Sequence, residues 1–290
     1  MKRYLVTGAS GFVGRACLPL LIKSGHEVHA VSRITRDDVG VTWHRTDLLS
    51  DNPTRLLELI QPTHLLHLAW IAEPGEFWDS PLNSRWLAFS RALLDAFIGE
   101  RVVVAGTCAE YDWQAGICHE LETPLKPTSA YSRAKAELSS DLADRSLSSA
   151  WARMFWPFGP GEPQQKLVAS VVRGLLAGRR VPCTEGLQRR DFMYIDDVAG
   201  ALVALADSEV TGPVNIGSGQ AIAVHDLVLQ FATALDRPDL LALGARPSNP
   251  AEPPLVVADV TRLVKEVGYQ PHISLAQAIE HTIAYWKRHG

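Results

Sequence analysis

The sequence predicts an α/β protein: a doubly wound parallel sheet covered on both faces, followed by a smaller C-terminal α/β domain. Three observations predict it. Short, almost wholly apolar runs recur through the first half and alternate with longer amphipathic stretches, the signature of parallel strands joined by helical crossovers. A glycine-rich turn, Thr7 to Gly14, links the first apolar run to the first amphipathic stretch. Beyond Pro157 the texture changes, and Gly159-Pro160-Gly161 with Pro163 punctuates a connection.

Taken in order, strands are expected at 3–7, 27–32, 41–46, 63–69, 101–106 and 150–155. Helices are expected between them, at 12–24, 53–60, 84–98 and 130–145. Right-handed crossovers then wind the chain around both faces of one sheet. Residues 1–156 are expected to form this domain, with a return segment near 190–217, and residues 157–290 the second domain. In the second half, helices are expected near 164–177 and 196–207, a strand near 214–216, and final helices over 260–267 and 275–288. The segment 244–254 holds four prolines and reads as an extended loop.

Composition bounds the function. The chain has 290 residues, 47% hydrophobic and 21% charged, enough for one large domain or two modest ones. A net charge of −4 gives no global basic surface for nucleic acid or an anionic membrane, so neither is expected as a partner. Cys17, Cys108, Cys118 and Cys183 show no C-x-x-C spacing and no finger-type cluster with histidine, so no metal is expected. Four free thiols suit a reducing cytoplasm. The N-terminal apolar run is too short for a signal-peptide core, and no stretch approaches the roughly 18 apolar residues of a span.

Gly8, Gly11 and Gly14 form G-x-x-G-x-x-G between a strand and a helix. The first permits a tight turn, the second lets backbone approach a pyrophosphate, and the third lets helix pack on strand. A helix N-terminus then offers N–H groups and positive dipole to phosphates. This is the dinucleotide-binding turn of a Rossmann domain, with Gly8, Ser10, Gly11, Phe12, Val13 and Gly14 as the contacts. At the end of the second strand, an acidic residue would bind the ribose 2′-hydroxyl of NAD. Ser32 stands there instead, followed by Arg33, which can pair a 2′-phosphate. NADP(H) is therefore favoured, with NAD(H) the alternative. Asp47 and Leu48 are expected at the adenine edge, and Leu68 and Ala69, after His67, beneath the cofactor.

Tyr131 and Lys135 are spaced i, i+4 at the start of an expected helix, on one face. A phenol with a pKa of about 10 is a poor base at neutrality, and a neighbouring ammonium stabilises its phenolate. The fifth strand ends at Thr107, where ligands of such sheets bind, and its hydroxyl can hold a reacting oxygen.

These motifs together resemble the extended short-chain dehydrogenase/reductase family, the nucleotide-sugar epimerase, dehydratase and reductase group. The resemblance also rests on Arg153, on Arg190 through Val198, and on Asn215-Ile216-Gly217-Ser218-Gly219. It implies a catalytic Thr107, Tyr131 and Lys135, with Arg190 and Arg246 facing the diphosphate of a nucleotide-sugar. It implies a homodimer built on helices near 84–98 and 130–145. Departures narrow the reading. The 4,6-dehydratase branch carries Asp-Glu directly after the catalytic threonine, and this chain has Cys108 and Ala109. Trp156 replaces an asparagine that contacts substrate, and Asn83 lies nearly a turn before the place of another. Trp70, Phe77, Trp78, Trp86, Trp113 and Trp156 gather near the expected pocket, where they can stack on a base or sugar or pack the core. Trp70, Cys108 and Trp156 are the remaining candidate substrate contacts, and Glu110 and His119 candidate auxiliary acids. The leading expectation is an NAD(P)-dependent ketoreductase or dehydrogenase of a nucleotide-activated deoxysugar. The alternatives are an NAD-dependent epimerase and a non-catalytic NADP-binding sensor or scaffold.

Overall fold

A computed structural model describes residues 1–34 and 36–290. In chain order the strands are β1 (Arg3–Thr7), β2 (Glu27–Ser32), β3 (Val41–Arg45), β4 (His64–His67), β5 (Arg101–Thr107), β6 (Ile117–Cys118), β7 (Ser149–Met154), β8 (Trp156–Phe158), β9 (Val181–Pro182), β10 (Arg189–Tyr194), β11 (Gly212–Ile216), β12 (Ala221–Ala223), β13 (Leu241–Ala242) and β14 (Leu255–Ala258). The helices are α1 (Phe12–Lys23), α2 (Pro53–Ile60), α3 (Leu82–Ala96), α4 (Ala130–Ala143), α5 (Leu167–Leu176), α6 (Ile195–Asp207), α7 (Val224–Ala234), α8 (Thr261–Lys265) and α9 (Leu275–His289).

The large sheet has seven strands in the order β3-β2-β1-β4-β5-β7-β11, all parallel. Strand alternation assigns its faces. Tyr4 and Val6, Val103, Ala150 and Ala152 pack on one side with α1 and α6, whereas Leu5, Val102, Val104 and Trp151 pack on the other with α2, α3 and α4. Burying each such Leu or Val contributes roughly 1.5–3 kcal/mol. The order in which strands are added reverses between β1 and β4, which pair Thr7 with His67 in parallel. Ligands of doubly wound sheets bind in the crevice above that switch point.

The strand expected near 214–216 is β11. It returns to the large sheet beside β7, while α6 packs on α1. A second sheet runs β12-β10-β14-β6, with β8 beside β10. Most of these short strands escape a period-based reading. β10 reads Arg-Arg-Asp-Phe-Met-Tyr, too polar at its start to announce a buried strand. Its fully buried Asp191 accepts from the backbone of Ser218 (2.7 Å), Gly219 (3.0 Å) and Ala258 (3.1 Å), tying three segments together. Asp197 does the same for the C-terminal stretch, accepting from the Tyr269 hydroxyl at 2.8 Å and the Ile273 N–H at 3.0 Å. Among the described residues no helix is long and apolar enough to cross a membrane.

Candidate active site

The glycine turn has the steric character a dinucleotide requires. Gly8 adopts φ +68°, and a Cβ there would lie 2.7 Å from the Ala69 nitrogen, so β1 and β4 can approach only through glycine. A Cβ on Gly14 would collide with Ala9 and the Gly8 carbonyl. A Cβ on Gly11 would meet only the Gly8 oxygen, at 3.1 Å, leaving that side open to a pyrophosphate. Helix α1 starts at Phe12 with no side-chain cap and no acid in its first turn, so its leading N–H groups are free for an anion. These residues fit a nicotinamide dinucleotide, which Gly8, Ser10, Gly11, Phe12, Val13 and Gly14 would hold.

Thr7 and His67 lock the floor of this site. The Thr7 hydroxyl lies 2.6 Å from His67 Nδ1 and accepts from the Ala69 N–H at 3.3 Å, while His67 Nε2 lies 2.9 Å from the Ser90 hydroxyl. Burial drives the His67 pKa down to about 3, so the ring is a neutral strut and not a proton carrier. Leu68 is half-buried against the core, and Ala69 is buried.

At the ends of β2 and β3, Arg33 and Arg45 line an open cleft with Thr46, Asp47 and Asp51. Ser32 is buried and accepts from the Ile34 N–H at 3.3 Å. Asp47 accepts from the Leu49 N–H at 3.2 Å and so holds its own turn. Leu48, expected at the adenine edge, buries its side chain in a cluster that includes α2 and α3 residues. Arg36 lies over the Trp43 ring, 5.8 Å from its centroid.

Above the end of β5, the chain makes a single 3₁₀ turn. The Thr107 hydroxyl accepts from the Ala109 N–H at 3.2 Å, and its own N–H donates to Glu110 at 2.8 Å. Helix α4 opens with Ser129 and Ser132 capping each other, which presents Tyr131 and Lys135 on its inner face. Burial pushes the Tyr131 phenol's pKa up, and the neighbouring Thr107 hydroxyl offsets part of that rise. Lys135 is buried, donates to the Ala105 carbonyl at 2.7 Å, and is pulled down to about 7 by desolvation. The three expected catalytic side chains therefore gather at one strand end.

Beneath them lies a polar network that sequence reasoning missed. Glu110 is fully buried and accepts from Arg153 Nε (2.8 Å), the Trp151 indole (2.9 Å) and Thr107. Arg153 continues to the Tyr111 hydroxyl (3.0 Å), which donates to Asn215 (2.8 Å). Glu110, read as an auxiliary acid, is thus a structural anion. His119 is partly exposed beside Asp259, 3.6 Å away. Cys108, read as a substrate contact, is buried with Tyr111, Cys118 and Phe155, and burial raises its thiol well above the usual range.

The two arginines expected at a diphosphate differ in their surroundings. Arg246 is exposed and lines a cleft of about 490 Å³ with Arg179, Arg180, Cys183 and His225. Arg190 is buried against Trp156 and Trp113, 5.5 and 6.0 Å from their ring centroids, and pairs with Glu252 at 2.8 Å. Trp70, read as a substrate contact, lies over the Lys135 ammonium, 3.8 Å from ring centroid to nitrogen.

The model of the NAD dependent epimerase/dehydratase family matches residues 4–217. The chain belongs to this family. A UDP-glucuronic acid decarboxylase 1 from Xenopus tropicalis is 26% identical across 99% of this chain and 72% of its own. A solved structure of MoeE5 with UDP-glucose and NAD is 29% identical, covers 99% of both chains, and superposes with a TM-score of 0.80. That of the NAD-dependent NDP-hexosamine 5,6-dehydratase TunA is 27% identical over 99% of this chain and 98% of its own, with a TM-score of 0.85. This epimerase/dehydratase-family chain is an enzyme, and its family is NAD-dependent.

Proposed function

We propose that the enzyme performs hydride chemistry at a carbonyl carbon of a nucleotide-activated sugar, as a ketoreductase or dehydrogenase. The observation that carries this is the assembly of Thr107, Tyr131 and Lys135 at the end of β5, with buried Cys108 and Ala109 where elimination would need an acid and a base. Bound nicotinamide supplies or accepts the hydride. Tyr131 moves the proton at the reacting oxygen, Thr107 holds that oxygen, and Lys135 orients the nearby ribose and favours the phenolate. Residues 1–156, with the return segment 190–217, serve the cofactor, and residues 157–290 the substrate. The nucleotide takes the cleft lined by Arg246, Arg179 and Arg180. Homodimerisation through α3 and α4 completes this reading.

The reading of NADP(H) over NAD(H) rests on Arg33 and Arg45, which line one cleft with Asp47 and Asp51 and can pair a 2′-phosphate, and on a serine in place of an acidic residue at position 32. The NAD-containing structure of MoeE5 favours a second reading, an epimerase that oxidises and re-reduces one carbon on retained NAD.

The test is steady-state reduction of a 4-keto nucleotide-sugar, followed by NADPH absorbance. Turnover is expected with NADPH over NADH, and Tyr131→Phe should lower kcat about 10²–10⁴-fold. Arg33→Ala should erase the preference for NADPH. Redox-neutral interconversion of UDP-sugars on tightly held NAD, with no net NADPH use, would favour the epimerase. Full activity in Tyr131→Phe would overturn both.

A further inference from the structure

We propose that Trp70 is a positioning residue of the active centre: its indole face seats the Lys135 ammonium, and Asn83 holds that indole in register with the segment that carries Tyr131. The proposal rests on the reading of Tyr131 and Lys135 as the reacting pair.

Lys135 is 2% exposed, and among the described residues no carboxylate lies within ion-pair distance of it. The nearby acid, Glu110, is committed to Arg153, Trp151 and the Thr107 N–H. What holds the ammonium is the Ala105 carbonyl, the Trp70 face at 3.8 Å and, more distantly, the Trp151 ring at 5.9 Å. A cation–π contact is strongest where water is excluded. Burial already draws Lys135 down to about 7, so loss of the indole face favours the uncharged amine.

Trp70 is itself held in place. Its indole N–H donates to Asn83 Oδ1 at 2.8 Å, and its ring stacks on Trp86 with centroids 6.3 Å apart. Asn83 is 2% exposed, and its Nδ2 donates to the carbonyls of Phe77 (2.7 Å) and Ser80 (2.9 Å). Between those carbonyls, the Trp78 carbonyl accepts from the Tyr131 N–H at 2.8 Å, and the Asp79 carboxylate accepts from the Ala130 N–H at 3.0 Å. Phe77 and Trp78 meet the Tyr131 ring edge-on, at 4.9 and 5.9 Å. One buried amide thus references both members of the pair to the same backbone segment.

The experiment titrates the Tyr131 phenolate by ultraviolet difference absorbance in protein saturated with NADP⁺, and in parallel with NAD⁺, using Tyr131→Phe as the blank. Trp70→Leu is expected to raise the midpoint by about one pH unit, a tenfold change, and Trp70→Phe, which keeps a π face, to restore most of it. In a Lys135→Met background, Trp70→Leu is expected to add nothing. Should Trp70→Leu not fold, Asn83→Ser, which frees the indole without removing it, should give a smaller rise in the same direction. An unmoved midpoint in these variants, with a clear shift in Lys135→Met, would overturn the proposal alone. So would an equal shift with and without Lys135. If Lys135→Met itself leaves the midpoint unmoved, the reacting-pair reading falls, and the role of Trp70 with it.

Discussion

Replacing Glu110 with glutamine keeps shape and removes one charge, so it isolates what the buried anion does. Glu110 is fully buried, Arg153 is 4% exposed, and their 2.8 Å contact is the sole carboxylate pairing of that guanidinium among the described residues. Breaking a buried ion pair from one side costs about 3–5 kcal/mol, because the remaining charge stays desolvated and unpaired. Arg153 would retain the Tyr111 hydroxyl and the Glu120 carbonyl, at 3.0 and 3.2 Å, which places the expectation at the lower end, about 3 kcal/mol. At roughly 2–4 °C per kcal/mol for a chain of this class, Tm should fall by about 6–12 °C. Urea unfolding with linear extrapolation measures the loss directly. A paired variant, Glu110→Gln with Arg153→Met, should recover much of it, since no orphan charge remains and the glutamine oxygen can still accept from the buried Trp151 and Thr107 donors. Activity should fall in Glu110→Gln as well, because the Thr107 N–H donates to this carboxylate. A loss below about 1 kcal/mol, or a paired variant no better than the single one, would refute the assignment of Glu110 as a structural anion.

Lys135 links function to stability in the opposite sense. Its pKa is about 7 in the fold against 10.5 for an ordinary lysine, so between those values the unfolded chain holds a proton the folded one has released. Stability therefore rises with pH across that window, and below pH 7 the buried charge costs up to about 5 kcal/mol. Lys135→Met should raise stability at pH 6, flatten that rise, and abolish turnover; unfolding curves at several pH values check it. His67, at about 3 against 6.5, stays neutral in the fold while the unfolded chain protonates. That stability is full above 6.5 and is lost as pH falls toward 3, about 2 kcal/mol by pH 5, and His67→Asn should remove this slope. Gly14→Ala places a methyl against Ala9 and the Gly8 carbonyl, and should abolish dinucleotide binding measured by fluorescence titration.

The fold was legible because its signals are local. Apolar runs of five to seven residues, β1, β2 and β5, sit between amphipathic helices and mark a parallel sheet whatever they pair with. Helix ends were less legible. The helix expected over 84–98 runs over Leu82–Ala96, because Pro81 sits at its N-cap and Phe97 leaves in an extended conformation. The strand expected over 63–69 ends at His67, where Leu68 and Ala69 turn over the glycine loop.

The sequence by itself determined the glycine turn between β1 and α1, the Tyr131/Lys135 spacing and the Cys108-Ala109 pair after Thr107. Each depends on neighbours a few residues apart, within reach of backbone geometry alone. Tertiary structure decided everything that depends on what meets across the sheet. Glu110, Trp151 and Arg153 stand up to 43 positions apart along the chain, and no periodicity could pair them. Trp70 and Lys135 are joined only once β4, β5 and α4 are packed, when an indole that could have stacked on a sugar closes over an ammonium instead. The partners of Arg190 were decided in the same way. A guanidinium takes whichever anion the folded chain brings nearest, and for Arg190 that anion is Glu252.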